Sequence, residues 1–161
     1  MKRLALSSLA IATAFVASAH PDAVCAEAAA PDALAVKLNA TAYNAGRIGH
    51  AFLSPDGEVT RLVLMLSGVP PYVGRPIHVY TYIYDGSCTN LPAKPVWSLN
   101  ERVLANTVTG SSGAGNGTML KIAHTIPAPL EALRAAHYAI ALRTAPADGN
   151  RLIFCGDIAD G

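Results

Sequence analysis

Residues 76–88 read PIHVYTYIYDGSC, and the alternation in this stretch decides the fold class. Ile77, Val79, Thr81 and Ile83 fall on one side of an extended chain, and His78, Tyr80, Tyr82 and Tyr84 fall on the other. A strict period of two in a run rich in β-branched and aromatic residues predicts a strand, because successive side chains of an extended backbone point to opposite faces. Asp85-Gly86 supplies a turn, and Cys88 follows it. One face is aliphatic and suits a core. The other is a ladder of three tyrosines and a histidine, whose use is the functional question.

The flanking sequence repeats the same signals. Ala33 to Tyr43 alternates Leu34, Val36, Leu38 and Ala40 against more polar positions, Asn44-Ala45-Gly46 turns the chain, and Arg47 to Leu53 starts a return strand. Ser54-Pro55-Asp56-Gly57 predicts a turn, with proline at the second position and glycine supplying a positive φ. Glu58 to Leu66 reads as a long strand with Val59, Leu62, Leu64 and Leu66 as candidates for burial. Ser67 to Pro71 is a loop, since consecutive prolines cannot continue a ladder. Beyond the tyrosine strand, Val96 to Leu104 (with the single tryptophan, Trp97), Thr118 to Ile126, His137 to Thr144 and Arg151 to Ile158 read as strands. Tyr138, Ile140 and Leu142 form the aliphatic face of the third of these, and Pro129 to Ala136 is one short helical patch. Thr109 to Gly117 (TGSSGAGNG) reads as a flexible surface loop by composition. It is not a phosphate-binding loop, because no lysine follows and it leads into a strand. Seven or eight short strands with regularly spaced turn signals predict an all-β, antiparallel β-sandwich or flattened barrel over residues 34–161.

The start of the chain predicts export. Met1-Lys2-Arg3 is a positive segment, Leu4 to Val16 is apolar, and His20, Pro21 and Asp22 arrive too early for a membrane-spanning helix. Residues 1–26 therefore read as a secretory signal peptide cut after Ala26, with a cut after Ala19 as the alternative, and residues 27–33 as a flexible N-terminal arm. The expected location is the periplasm or the cell exterior, with no transmembrane segment. Removing residues 1–26 takes away Lys2, Arg3 and Asp22 and leaves a chain near neutrality. With no basic run or Lys/Arg cluster, nothing points to a nucleic-acid partner, and none is expected.

Cysteine arithmetic agrees. Cys25 leaves with the signal, so Cys88 and Cys155 remain as an even pair in an oxidising compartment. Closing a loop of about 67 residues would contribute roughly 4 kcal/mol by chain entropy.

Three local patterns resemble the copper–zinc superoxide dismutase-like fold and the related chordin-type domain. Residues 46–70 (GRIGHAFLSPDGEVTRLVLMLSGVP) are similar to its opening strands. Tyr82-Ile83-Tyr84-Asp85-Gly86-Ser87-Cys88 occupies the place where that family has a His-x-His strand leading, after a glycine, into a disulfide cysteine. Cys155-Gly156-Asp157-Ile158 matches the family's Cys-Gly-x-Ile motif, and HYAIALR, ending at Arg143, stands where a strand ends in a copper-ligand histidine. The resemblance covers residues 34–158 and implies a Greek-key sandwich with a Cys88–Cys155 disulfide. It does not carry the activity over. Two copper ligands become Tyr82 and Tyr84, the late one becomes Arg143, and Thr89 to Gly117 contains no histidine for zinc. Copper redox chemistry needs several imidazoles at one centre, and a permanently charged guanidinium repels a cation. The expectation is a non-enzyme with no cofactor.

The remaining chemistry is sparse. His50, His78, His124 and His137 lie in different predicted strands, with no His-x-His, Cys-x-x-Cys or His-Glu-x-x-His spacing. His78 is the one weak metal candidate, because it shares a face with Tyr80, Tyr82 and Tyr84. His137 and Arg143 are expected on the same outer side nearby. No nucleophile elbow and no carboxylate pair is present. The binding-face candidates are thus His78, Tyr80, Tyr82, Tyr84, His137 and Arg143, facing a protein or glycan partner from a monomer or weak homodimer. The competing expectations are that residues 89–117 cover the ladder with Trp97 packed on it, or that His78 and neighbouring histidines bind copper or zinc weakly.

Overall fold

A computed structural model describes residues 33–112 and 115–158 of the 161-residue chain. The expected signal peptide, and the arm up to Asp32, lie outside the described residues. Among the described residues there are nine strands: β1 (Leu34–Ala40), β2 (Gly49–Asp56), β3 (Val59–Leu66), β4 (Val79–Asp85), β5 (Trp97–Ser98), β6 (Asn106–Ser112), β7 (Gly115–Ile126), β8 (Tyr138–Thr144) and β9 (Leu152–Asp157). One short helix, α1 (Leu130–Ala135), precedes β8 and buries Leu130 and Leu133. The strands form a single antiparallel sheet in the order β5-β4-β8-β9-β1-β2-β3-β7-β6. The all-β expectation holds.

The sheet curls because β1 serves both halves. Its residues Leu34–Leu38 pair with β2, whereas Asn39 and Ala40 pair with β9. The crossing of β9 over β1 is close enough to require a glycine: a Cβ on Gly156 would lie 2.5 Å from the Lys37 carbonyl oxygen and 2.9 Å from Leu38 Cδ2. The side chains between the two halves form the main core. Val36, Leu38, Leu53, Leu62, Leu64, Leu66, Val79, Ile83, Ile140, Leu142 and Phe154 are all at most 2 % exposed. The predicted inward face of the tyrosine strand is realised in Val79, Thr81 and Ile83, each fully buried.

Three local expectations are corrected. The turn after Ser54 lies two residues later than predicted. Pro55 sits in β2 opposite Thr60, and the hairpin turns through Gly57 (φ +64°) and Glu58. Proline is tolerated there because the β1–β2 register ends at Leu53, leaving no ladder for Pro55 to break on that side. On β3 the alternation buries Thr60 instead of Val59; Thr60 donates its hydroxyl hydrogen to the Ala128 carbonyl at 2.8 Å, which removes the cost of burying it. The described residues of the Thr109–Gly117 segment, 109–112 and 115–117, are strand and not loop. They supply the end of β6 and the start of β7, paired from Asn106↔Lys121 to Ser112↔Gly115. Glycine and serine weaken a strand but leave the backbone ladder available, and this hairpin accounts for the strand beyond the expected eight.

Candidate functional site

The tyrosine ladder lies on the outer face of the β4-β8-β9 half. Across the β4–β8 pair, Tyr80 stands opposite Arg143, Tyr82 opposite Ala141 and Tyr84 opposite Ala139. The alanines matter because they are small: both are fully buried beneath a second apolar cluster, separate from the main core. That cluster contains Tyr84 and Cys155, with Tyr82, Cys88, Leu91 and Leu152 packed against it.

The Cys88–Cys155 disulfide is formed, with 5.8 Å between its Cα atoms. It pulls the chain after β4 back over the sheet. The Cys88 N–H donates to Asp157 Oδ1 at 2.7 Å, and the Gly86 N–H donates to the His137 carbonyl at 2.6 Å. Asp157 thus accepts from a backbone donor beside the bridge. Leu91 from the same loop packs against this cluster, in which Tyr84 is 6 % exposed.

Burial along the ladder is therefore graded. Tyr84 is covered; Tyr82, with its ring 6.3 Å from that of Tyr84, and Tyr80 are partly exposed. Trp97 does not cover them. It pairs with Ile83 through β5, and its ring contacts Tyr138 at 5.3 Å on the core side. Arg143 is partly exposed beside Tyr80 and donates from Nη1 to the Asn150 carbonyl at 3.1 Å, which fixes its position.

The histidines do not gather. His78 is partly exposed at the start of the ladder and bridges to Leu104. His137 shares the outer side but is exposed at the opposite end, beside Gly86, roughly 27 Å from His78 at the rise of a strand. His50 stands on β2 with its ring 6.3 Å from that of Phe52. Among the described residues no three His, Cys, Asp or Glu side chains are placed to hold a metal ion. No helix among them is long and apolar enough to cross a membrane.

One concavity was not anticipated from the sequence. A cleft of about 660 Å³ opens where the β5 end of the curled sheet approaches β7 and β3. Val96, Trp97, Leu99 and Arg102 line one side, and Ala123, His124 and Thr125 of β7 line the other. His124 follows Leu120 and Ile122 on the core-facing side of β7, so a polar ring stands where the pattern calls for an apolar one. Its Nε2 is closed off from solvent and has no hydrogen-bond partner among the described residues. Burial, and secondarily the Arg102 guanidinium, push its pKa down to about 4, so the ring is neutral at pH 7. The only hint in the sequence is His124 in the alternating run TMLKIAHTI, and nothing local pairs it with residues 96–102.

Comparisons with known protein families, with curated proteins and with solved structures find no match.

Proposed function

We propose that this chain is an exported, non-catalytic binding domain of the dismutase-like sandwich type, which contacts a protein or glycan partner through Tyr80, Tyr82 and Arg143. The observation that carries this reading is the graded ladder. Two partly exposed tyrosines and an arginine stand side by side on a strand pair braced at one end by a disulfide. Tyrosine offers rigid contact area with a polar tip, and Tyr and Arg dominate the energetics of interfaces. A platform on paired strands loses little freedom on binding.

The fold-level part of the proposal draws support from the strand order. β9 lies beside β1, and β1, β2 and β3 are neighbours in sequence, so a late strand returns next to the first of three consecutive ones, as in a Greek key. The disulfide joins the two half-cystine motifs that carry the resemblance and favours an oxidising compartment. Phenols and a guanidinium in place of imidazoles speak against dismutation. Protein incubated with Cu(II) and Zn(II) is expected to show no superoxide turnover above buffer, and rapid turnover would contradict the reading.

The binding role is tested by placing a photo-crosslinking residue at position 82 in the producing cell, with the exposed Lys37 position on the other half as control. A discrete adduct at position 82 that is absent from position 37 is expected. The same adducts at both positions would end the proposal.

A further inference from the structure

We infer that the cleft between β5 and β7 is a strand-addition site for an extended peptide carrying charges of both signs. The argument begins with backbone groups. β7 pairs with β3 along Leu120–Ile126, but β6 covers its other edge only as far as Lys121. Among the described residues no strand lies beside that edge over residues 122–126. On the facing side, β5 pairs with Tyr82 and Ile83 through one edge, and among the described residues nothing pairs with its other edge. Ala123, His124 and Thr125 line the same cleft as Trp97, Ser98 and Leu99, so two unfilled edges look into one space. Free edges carry rows of N–H and C=O groups that template a further strand.

Charge distinguishes a peptide from a small anion. The lining contains Arg61 and Arg102 but also Asp56 and Glu101, so the cleft has no net charge to concentrate an anion. Arg61 is already held by Asp56 at 2.8 Å. Among the described residues Arg102 and Glu101 have no ion-pair partner, and they stand next to each other on one wall. A peptide with an acidic and a basic side chain meets both. On β7 itself Ala123 lines the cleft, and its small side chain leaves room for alternate aliphatic side chains of the added strand.

The test uses the full chain, isotopically labelled, and a blocked eight-residue peptide of alternating valine and threonine with a glutamate and a lysine at its centre. At saturating peptide, exchange of the amides in residues 122–126 should slow by roughly tenfold or more. Alternate backbone N-methylation of the peptide should abolish binding, and Arg102→Glu should weaken it about fivefold. Equal binding of the N-methylated peptide would mean side-chain capture only and would overturn the inference. No slowing at millimolar peptide would do the same. Slow exchange in the free chain also counts against a peptide partner. If it disappears on deleting residues 1–32, the chain fills the cleft itself, and if it depends on protein concentration, a second copy does.

Discussion

The two sides of this curled sheet are built differently. Where β9, β1 and β2 turn the corner, the chain is closed: Gly156 crosses β1 at backbone contact, the disulfide ties the β4 exit to β9, and Tyr84 is buried in a cluster against which Cys88 and Leu91 pack. Where β5 approaches β7, the chain is open: a cleft replaces a strand pair, and His124 keeps a buried nitrogen with no partner among the described residues. The closed side shows what holds the tyrosine platform, and the open side shows where the fold has spare hydrogen-bonding capacity. One strand, β4, touches both, with its outer face on the braced side and its free neighbour β5 at the cleft.

Changes on the closed side should cost most. Replacing both Cys88 and Cys155 by alanine should lower unfolding stability by roughly 4 kcal/mol in denaturant titration, because the unfolded chain regains the entropy of a long loop. A loss under 1 kcal/mol would mean that the bridge does not brace this side. Tyr84→Ala should cost about 3 kcal/mol, since it empties the satellite cluster. Gly156→Ala should cost about 2 kcal/mol or more by forcing β9 away from Lys37, and a neutral result would show that the corner can relax.

The open side predicts a pH effect. The folded pKa of His124 lies below that of a free histidine, so the unfolded chain binds the extra proton first as pH falls. Stability should therefore be complete above about pH 6.5 and decline toward pH 4, by on the order of 1 kcal/mol after solvent screening. His124→Gln, measured by thermal unfolding across the same range, should flatten the curve; an unchanged slope would assign the pH dependence elsewhere. The smallest effect belongs to Tyr80→Ala, expected within about 1 kcal/mol of the parent, because Tyr80 is partly exposed and outside the satellite cluster. A loss as large as that of Tyr84→Ala would erase the distinction between the covered and open ends of the ladder.

Sequence pattern revealed what local alternation controls. Val79, Thr81 and Ile83 were readable as an inward face because each lies two residues from the next, and Pro129–Ala136 was readable as one short helical patch, which α1 realises. The burial of Tyr84 was not readable. Its covering groups come from Leu91, Ala139, Ala141 and Cys155, and the alternation of β4 is the same at Tyr80 as at Tyr84. The β6–β7 hairpin was hidden by a Gly- and Ser-rich composition that says little about backbone pairing. The cleft was hidden because residues 96–102 and 123–125 meet only after the sheet has curled.

The central claim is that the ladder divides into a structural tyrosine and a presenting pair. The most direct measurement places 3-fluorotyrosine singly at positions 80, 82 and 84 and follows each fluorine signal as a soluble gadolinium chelate is added. Strong relaxation enhancement at positions 80 and 82 with little at 84 is the predicted result. Equal shielding of all three would show a covered ladder with no platform and would contradict the account.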